Sequence, residues 1–274
     1  MKPLPAILAL CVAAPLCAQP KETASLPPVV LQRTAGEIRV DCDLSDPGWK
    51  GAATIDTFYE TSPGDNTPPK AQTVALITYD DRFFYIELRC LDPEPGKIRA
   101  PYVDRDQILG TDDNVAVFLD TRNDRRSAIE LRVNPRGSQG DAVWNEANFG
   151  EDFVPDFFYD TAARVTPEGW TAEMRIPFSS LRYDDADPQT WGILVWRNYP
   201  RDFRYAYHSS PIPRGSNCHI CHMRSITGLT GLPTGGHIVV APYVTGTQAA
   251  ILEGPLGSSL ENDDPEGDAG VDAK

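Results

Sequence analysis

Short segments in which apolar and polar residues alternate make up most of the chain. In residues 37–42, Ile38, Val40 and Cys42 share one parity and Glu37, Arg39 and Asp41 the other, the period of a strand with one buried face. Residues 73–79 and 83–90 repeat the pattern on either side of Asp80-Asp81-Arg82, which is a hairpin signal. In the second of these, Phe84, Ile86, Leu88 and Cys90 point one way and Tyr85, Glu87 and Arg89 the other, so Cys90 faces inward. Further strands are predicted at 115–120, 128–134, 170–176, 192–198 and 237–243, each bounded by turn residues. About eight short strands without a long amphipathic helix predict an all-β chain, an antiparallel β-sandwich of the jelly-roll type over residues 37–247.

The two ends read differently. Lys2, an apolar run from Leu4 to Leu16 and small residues around Ala18 have the layout of a secretory signal peptide over residues 1–18, with a linker over 19–36. Leu10 and Leu16 precede Cys11 and Cys17, where a lipoprotein site needs a small residue, so a soluble mature N-terminus is expected. Such a chain is exported to the periplasm or the outer membrane, where the four remaining cysteines favour disulfides. Residues 251–273 carry seven acidic side chains and no basic one, so 248–274 is expected to be a disordered acidic linker.

Composition narrows the partners. With 274 residues, 41% of them hydrophobic, the chain buries a sizeable core, while 21 glycines and 25 prolines interrupt any long helix. A net charge of −14 repels phosphate backbones and anionic head groups alike, which argues against nucleic acid as a partner.

Several phrases, read together, extend the picture. Arg39-Val40-Asp41, Asp46-Pro47-Gly48-Trp49, the hairpin from Ile77 to Ile86, and Asp112-Asp113-Asn114-Val115 running to Phe118-Leu119-Asp120 come in that order. Leu131-Arg132-Val133-Asn134, the run from Gly169 to Phe178, Trp191-Gly192 and Ile226-Thr227-Gly228-Leu229 follow. In order and spacing they resemble a family 9 carbohydrate-binding module over roughly residues 37–245. A narrower similarity is to outer-membrane proteins in which such a module precedes a large β-barrel. It rests on Ile176-Pro177-Phe178-Ser179-Ser180-Leu181-Arg182 and on Gly270-Val271-Asp272-Ala273-Lys274, and makes the acidic stretch a linker toward a barrel.

The resemblance implies an exported, non-catalytic protein that binds sugar or polysaccharide ends between aromatic faces and charged side chains, as part of carbohydrate utilisation. Arg132 stands where the family carries its hydroxyl-binding arginine, on the outward parity with Glu130 and Asn134. The aromatic expected ahead of that strand pair falls at Ile108, Leu109 or Gly110, and the expected carboxylate at Ala116, so both are missing. Trp144 or Trp196 could supply a stacking face, whereas Trp49, Trp170 and Trp191 belong to phrases that mark the core. Read without the resemblance, Arg132 is a strand arginine paired to Glu130 or Glu173. No paired-carboxylate constellation for glycoside hydrolysis is identifiable.

Cys218-His219-Ile220-Cys221-His222 matches C-x-x-C-H, the haem c attachment signature, in which Cys218 and Cys221 bind covalently and His222 is an axial ligand. His208, His237 or Met174 would be the second ligand, and the alternative function is an electron-transfer protein on the same fold. A zinc site there needs His208 or His237 as well. The third reading is a local disulfide between Cys218 and Cys221. No cofactor is required by the sugar-binding reading, although Asp80-Asp81, Asp112-Asp113 and Asp184-Asp185 are candidate calcium ligands. Cys42 and Cys90, both on core-facing parities, are expected to form a second disulfide.

Overall fold

The computed structural model describes residues 26–233, 240–253, 255 and 259–273. The expected signal peptide over 1–18 and the candidate ligand His237 lie outside the described residues.

Two sheets pack face to face. The larger contains nine strands: β1 (Val29–Val30), β3 (Tyr59–Ser62), β6 (Asn114–Asp120), β7 (Ser127–Val133), β8 (Gln139–Asn145), β9 (Gly150–Asp152), β12 (Gln189–Pro200), β13 (Arg204–His208) and β14 (Arg224–Leu229). Its main path runs β1-β14-β12-β6-β7-β8-β9, with β13 beside the second half of β12 and β3 beyond β13. The smaller sheet is β2 (Ala53–Ile55), β4 (Thr73–Tyr79), β5 (Phe83–Leu91), β10 (Asp160–Thr166) and β11 (Gly169–Pro177), in the order β10-β11-β5-β4-β2 and antiparallel throughout.

Alternation decides which side chains meet between the sheets. Phe84, Ile86, Leu88 and Cys90 of β5 and Ala172, Met174 and Ile176 of β11 face Val115, Val117 and Leu119 of β6 and Ile193 and Val195 of β12, all fully buried. Trp170 and Trp191 lie in the same core. The central strands β6 and β12 are apolar on both parities, because Ala116, Phe118 and Leu194 on the outer face are covered as well.

The outer face of the five-stranded sheet is closed by the N-terminal segment, and here residues 37–42 depart from expectation. They are not a strand. Ile38 and Cys42 are buried and the intervening residues are not, but the backbone amides of Asp41 and Cys42 donate to Glu173 Oε2 at 2.9 and 2.7 Å, not to a neighbouring strand. Trp49 Nε1 donates to the other oxygen of Glu173 at 3.1 Å and, with Ile38, packs against Tyr85. Gly48 permits this closure, since a Cβ there would lie 2.8 Å from the Glu37 carbonyl oxygen.

The same geometry overturns the expected Cys42–Cys90 disulfide. Cys90 is on the inner face of β5, whereas Cys42 approaches the outer face, with Sγ 3.9 Å from the Thr171 carbonyl. The sheet itself separates them, and both are buried free thiols. Burial pushes their pKa values up to about 11 for Cys42 and about 12 for Cys90.

The C-terminal acidic stretch is a second correction. Rather than being disordered, its described residues pair as a hairpin, β15 (Val240–Thr247) with β18 (Glu266–Ala273) and β16 (Ala250–Glu253) with β17 (Ser259–Asn262). The last strand predicted for the sandwich, at 237–243, belongs to this hairpin in its described part. Its residues are exposed almost throughout, so backbone pairing orders it rather than burial of apolar surface.

Candidate functional site

The nine-stranded sheet brings one row of residues together across five strands. Gly140 of β8 pairs with Arg132 of β7, Arg132 with Ala116 of β6, Ala116 with Trp196 of β12, and Trp196 with His208 of β13. All lie on the outer parity. Gly140 and Ala116 contribute almost no side chain, so Arg132 and Trp196 stand above the floor on either side of Ala116.

Arg132 is held on several sides. Its Nε donates to Glu130 Oε1 at 3.0 Å and its Nη2 to Glu151 Oε1 at 3.0 Å, while Cζ lies 5.6 Å from the Trp196 ring centre and 5.9 Å from that of Phe153. The Arg132 side chain keeps 12% exposure. Its ion partners are Glu130 and Glu151; Glu173 lies on the outer face of the other sheet. Burial raises the pKa of Glu130, Arg132 opposes the shift, and the nearby charge of Glu151 adds to it.

Three of the residues expected on the open face are not there. Glu130 is fully buried beneath Arg132. Asn134 is fully buried too, and organises a turn: its Nδ2 donates to the Pro101 carbonyl at 2.8 Å and its Oδ1 accepts the amides of Arg136 and Ser138. Trp144 retains only 8% exposure because the segment 209–223 covers it. Trp196 remains half-buried at the edge of that cover.

The covering segment carries the C-x-x-C-H motif. Ser209 N donates to the Val195 carbonyl at 2.9 Å at one end of the segment, and Asn66 exchanges two hydrogen bonds with the backbone of Ile212. Glu146 fixes the other end, accepting the amides of His219 at 2.8 Å and Ile220 at 3.0 Å and the Trp144 indole N–H at 2.9 Å. Ile220, fully buried, packs into a cluster with Phe118, Leu194 and Met223. The His219 ring lies 4.8 Å from Trp144, 5.3 Å from Phe118 and 5.2 Å from His208. Burial lowers the His219 pKa to about 4 and holds His208 well below the usual range.

Cys218 and Cys221 are joined to each other across the short turn Ile220–His222. The sulfurs that haem attachment would consume are therefore already bonded, and Ser216 Oγ lies 2.9 Å from His222 Nε2. His208 Nδ1 lies 2.7 Å from Thr61 Oγ1, and Met174 is fully buried between the sheets. These residues do not fit a haem c site.

Two of the three acidic pairs named for calcium are engaged by protein donors, while Asp184 and Asp185 are exposed. Asp80 accepts the amides of Arg82 and Phe83 and the Tyr85 hydroxyl, and Asp113 accepts Arg201 and the Arg99 amide. A different acidic group, Asp106, Asp141 and Asp156, does converge, but Arg105 sits against both Asp141 and Asp156.

Sequence reasoning missed Glu146, Glu151, Phe153 and Arg204 as parts of this face. Only Glu146 carried a local signal, two residues beyond Trp144; the others reach the face through chain reversals that strand parity does not encode.

No protein-family model matches the chain, and no curated protein matches it in sequence. Among solved structures it is similar to a family 9 carbohydrate-binding module from Caldicellulosiruptor kristjanssonii in complex with cellotriose, at 16% identity over 73% of this chain and 92% of that one, with a TM-score of 0.53. It is also similar to a candidate carbohydrate-binding protein from Bacteroides uniformis, at 13% identity over 65% of this chain and 87% of that one, with a TM-score of 0.53. The fold of this chain is therefore the β-sandwich of the family 9 carbohydrate-binding modules.

Proposed function

We propose that the protein is an exported, non-catalytic carbohydrate-binding module that receives the end of a sugar chain on the outer face of its nine-stranded sheet, as part of carbohydrate utilisation. The observation that carries this reading is the cross-strand row in which Arg132 and Trp196 rise over Ala116. A pyranose packs its C–H groups on an indole while a guanidinium donates to its hydroxyls. The fold shared with a module that holds cellotriose supports the ligand class. Glu130 and Glu151 both bind Arg132, which favours a positioning role over general acid and base chemistry.

The Cys218–Cys221 disulfide supports export, since such bonds persist in oxidising compartments. The hairpin of β15 and β18 supports a place at the outer membrane. It presents Pro242, Val244, Ala269 and Val271 on one face and Tyr243, Thr245, Asp268 and Asp272 on the other, the two-sided pattern of strands set between lipid and water in a β-barrel. A glycan array probed with the purified protein tests the ligand class: signal confined to particular sugar ends is the expected result, and no signal above background contradicts it. Recovery of the protein from the soluble periplasmic fraction alone would contradict the membrane association.

A further inference from the structure

Beside Trp196 stands a second arginine whose setting differs from that of Arg132. Arg204, at the start of β13, is exposed, and its Cζ lies 5.8 Å from the centre of the Trp196 ring. Its Nε donates to Asn198 Oδ1 at 2.8 Å. Asn198 is itself fully buried and fixed, its Nδ2 donating to the carbonyls of Gly110 at 2.9 Å and Asp112 at 2.7 Å. On another side the guanidinium packs against Gly110, where an added Cβ would come within 2.9 Å of Arg204 Cζ.

Three residues, Trp196, Asn198 and Gly110, thus orient this side chain, yet among the described residues no carboxylate pairs with it and no acceptor binds its Nη1 or Nη2. Two other arginines on this side of the sheet are neutralised: Arg132 by Glu130 and Glu151, Arg105 by Asp141. Other buried or half-buried arginines without a carboxylate, Arg125, Arg197 and Arg224, give their terminal nitrogens to backbone carbonyls, whereas those of Arg204 are bound by none.

We propose that Trp196 and Arg204 form a subsite for a carboxylate-bearing sugar unit, a hexuronate, with its ring on the indole and its carboxylate on the two free terminal nitrogens of Arg204. The proposal rests on the reading of this face as sugar-binding and adds the class of sugar. Carboxylate geometry matches the planar fork of a guanidinium, and a hexuronate carries its carboxylate on the ring edge, so a ring lying on Trp196 directs it sideways, toward the neighbouring cation. Nε is already engaged by Asn198, which leaves the outward pair of N–H groups for the ligand.

The experiment is calorimetric titration of the intact protein with matched trisaccharides: cellotriose against β-1,4-triglucuronate, and galactotriose against trigalacturonate. Within at least one pair the uronate should bind about tenfold more tightly than its neutral partner, with the preference shrinking as salt is raised. Arg204→Gln should bring the uronate down to the neutral partner's affinity, and Arg204→Lys, which keeps the charge but not the fork, should fall between. Equal affinities in both pairs, or a preference that survives Arg204→Gln, would overturn the uronate subsite while leaving the sugar-binding face in place. An equal gain for 6-sulfated cellotriose would overturn the carboxylate assignment in favour of anions in general. Failure of neutral and acidic sugars alike would remove both readings.

Discussion

The Arg132 guanidinium lies 5.6 Å from the centre of the Trp196 ring, and between the two strands that carry them runs β6, with Ala116 in the shared row. The small residue between them, itself fully buried, lets the guanidinium and the indole approach one another over it. Arg132 also neutralises the fully buried Glu130, so it serves stability as well as recognition.

Arg132→Ala should therefore cost more than a surface arginine, about 3 kcal/mol, because it leaves a buried carboxylate without its cation. Arg132→Ala combined with Glu130→Gln should recover part of that loss. Denaturant unfolding of the two variants checks this; an Arg132→Ala cost under about 0.5 kcal/mol would assign the pair to a solvated surface.

Glu146→Ala should release the covering segment. The variant strands two backbone amides and the Trp144 indole N–H, at about 1–3 kcal/mol for each donor left without a partner. Amide exchange at His219 and Ile220 should accelerate strongly while the amides of β6 and β12 remain protected. Unchanged protection at Ile220 would mean that the segment is held by its apolar contacts alone.

Reduction of Cys218–Cys221 should have a small global effect. The loop it closes is very short, so the chain-entropy model gives a loss of only about 2 kcal/mol. A blunt drop in melting temperature on reduction, with collapse of the sheet signal, would show the disulfide holding the sandwich itself.

His219 makes the seat of the segment sensitive to acid. Its folded-state pKa is depressed to about 4, below an ordinary value near 6.5, so the unfolded chain binds a proton between these values and the folded chain does not. The stability it contributes is present above pH 6.5 and is lost as pH falls toward 4, by up to about 1.4 kcal/mol per pH unit. Buried carboxyls with raised pKa values, Glu130 and Glu173 among them, act with the opposite sign, so the informative quantity is a difference. His219→Phe should gain stability relative to the parent as pH falls from 6.5 to 4. A constant difference across that range would place the ring in contact with water.

Particular residues show how far the sequence could be read. The hairpin of β4 and β5 was legible because alternation and the Asp80 turn agree, and β6 and β12 because their unbroken apolar runs imply cover on both faces. Residues 37–42 misled for a physical reason: period two reports alternating burial, and here the amides bond to a side chain, Glu173, that no local pattern reveals. The parity of Cys42 and Cys90 likewise told which side chains are buried but not on which side of the sheet. Arg132 and Trp196 were legible as one face, whereas the burial of Trp144 was not, since it depends on a segment more than 60 residues later in the chain. The pairing of 240–253 with 259–273 was hidden because strands paired through their backbones need no buried apolar face.

The central claim is that a sugar lies on Trp196. Isothermal titration of cellotriose into the parent protein and into Trp196→Ala, with thermal melts of both, tests it most directly. Loss of a stacking indole predicts binding weakened by about tenfold or more while the half-buried position leaves the melting temperature close to that of the parent. The same affinity in both proteins would contradict the account.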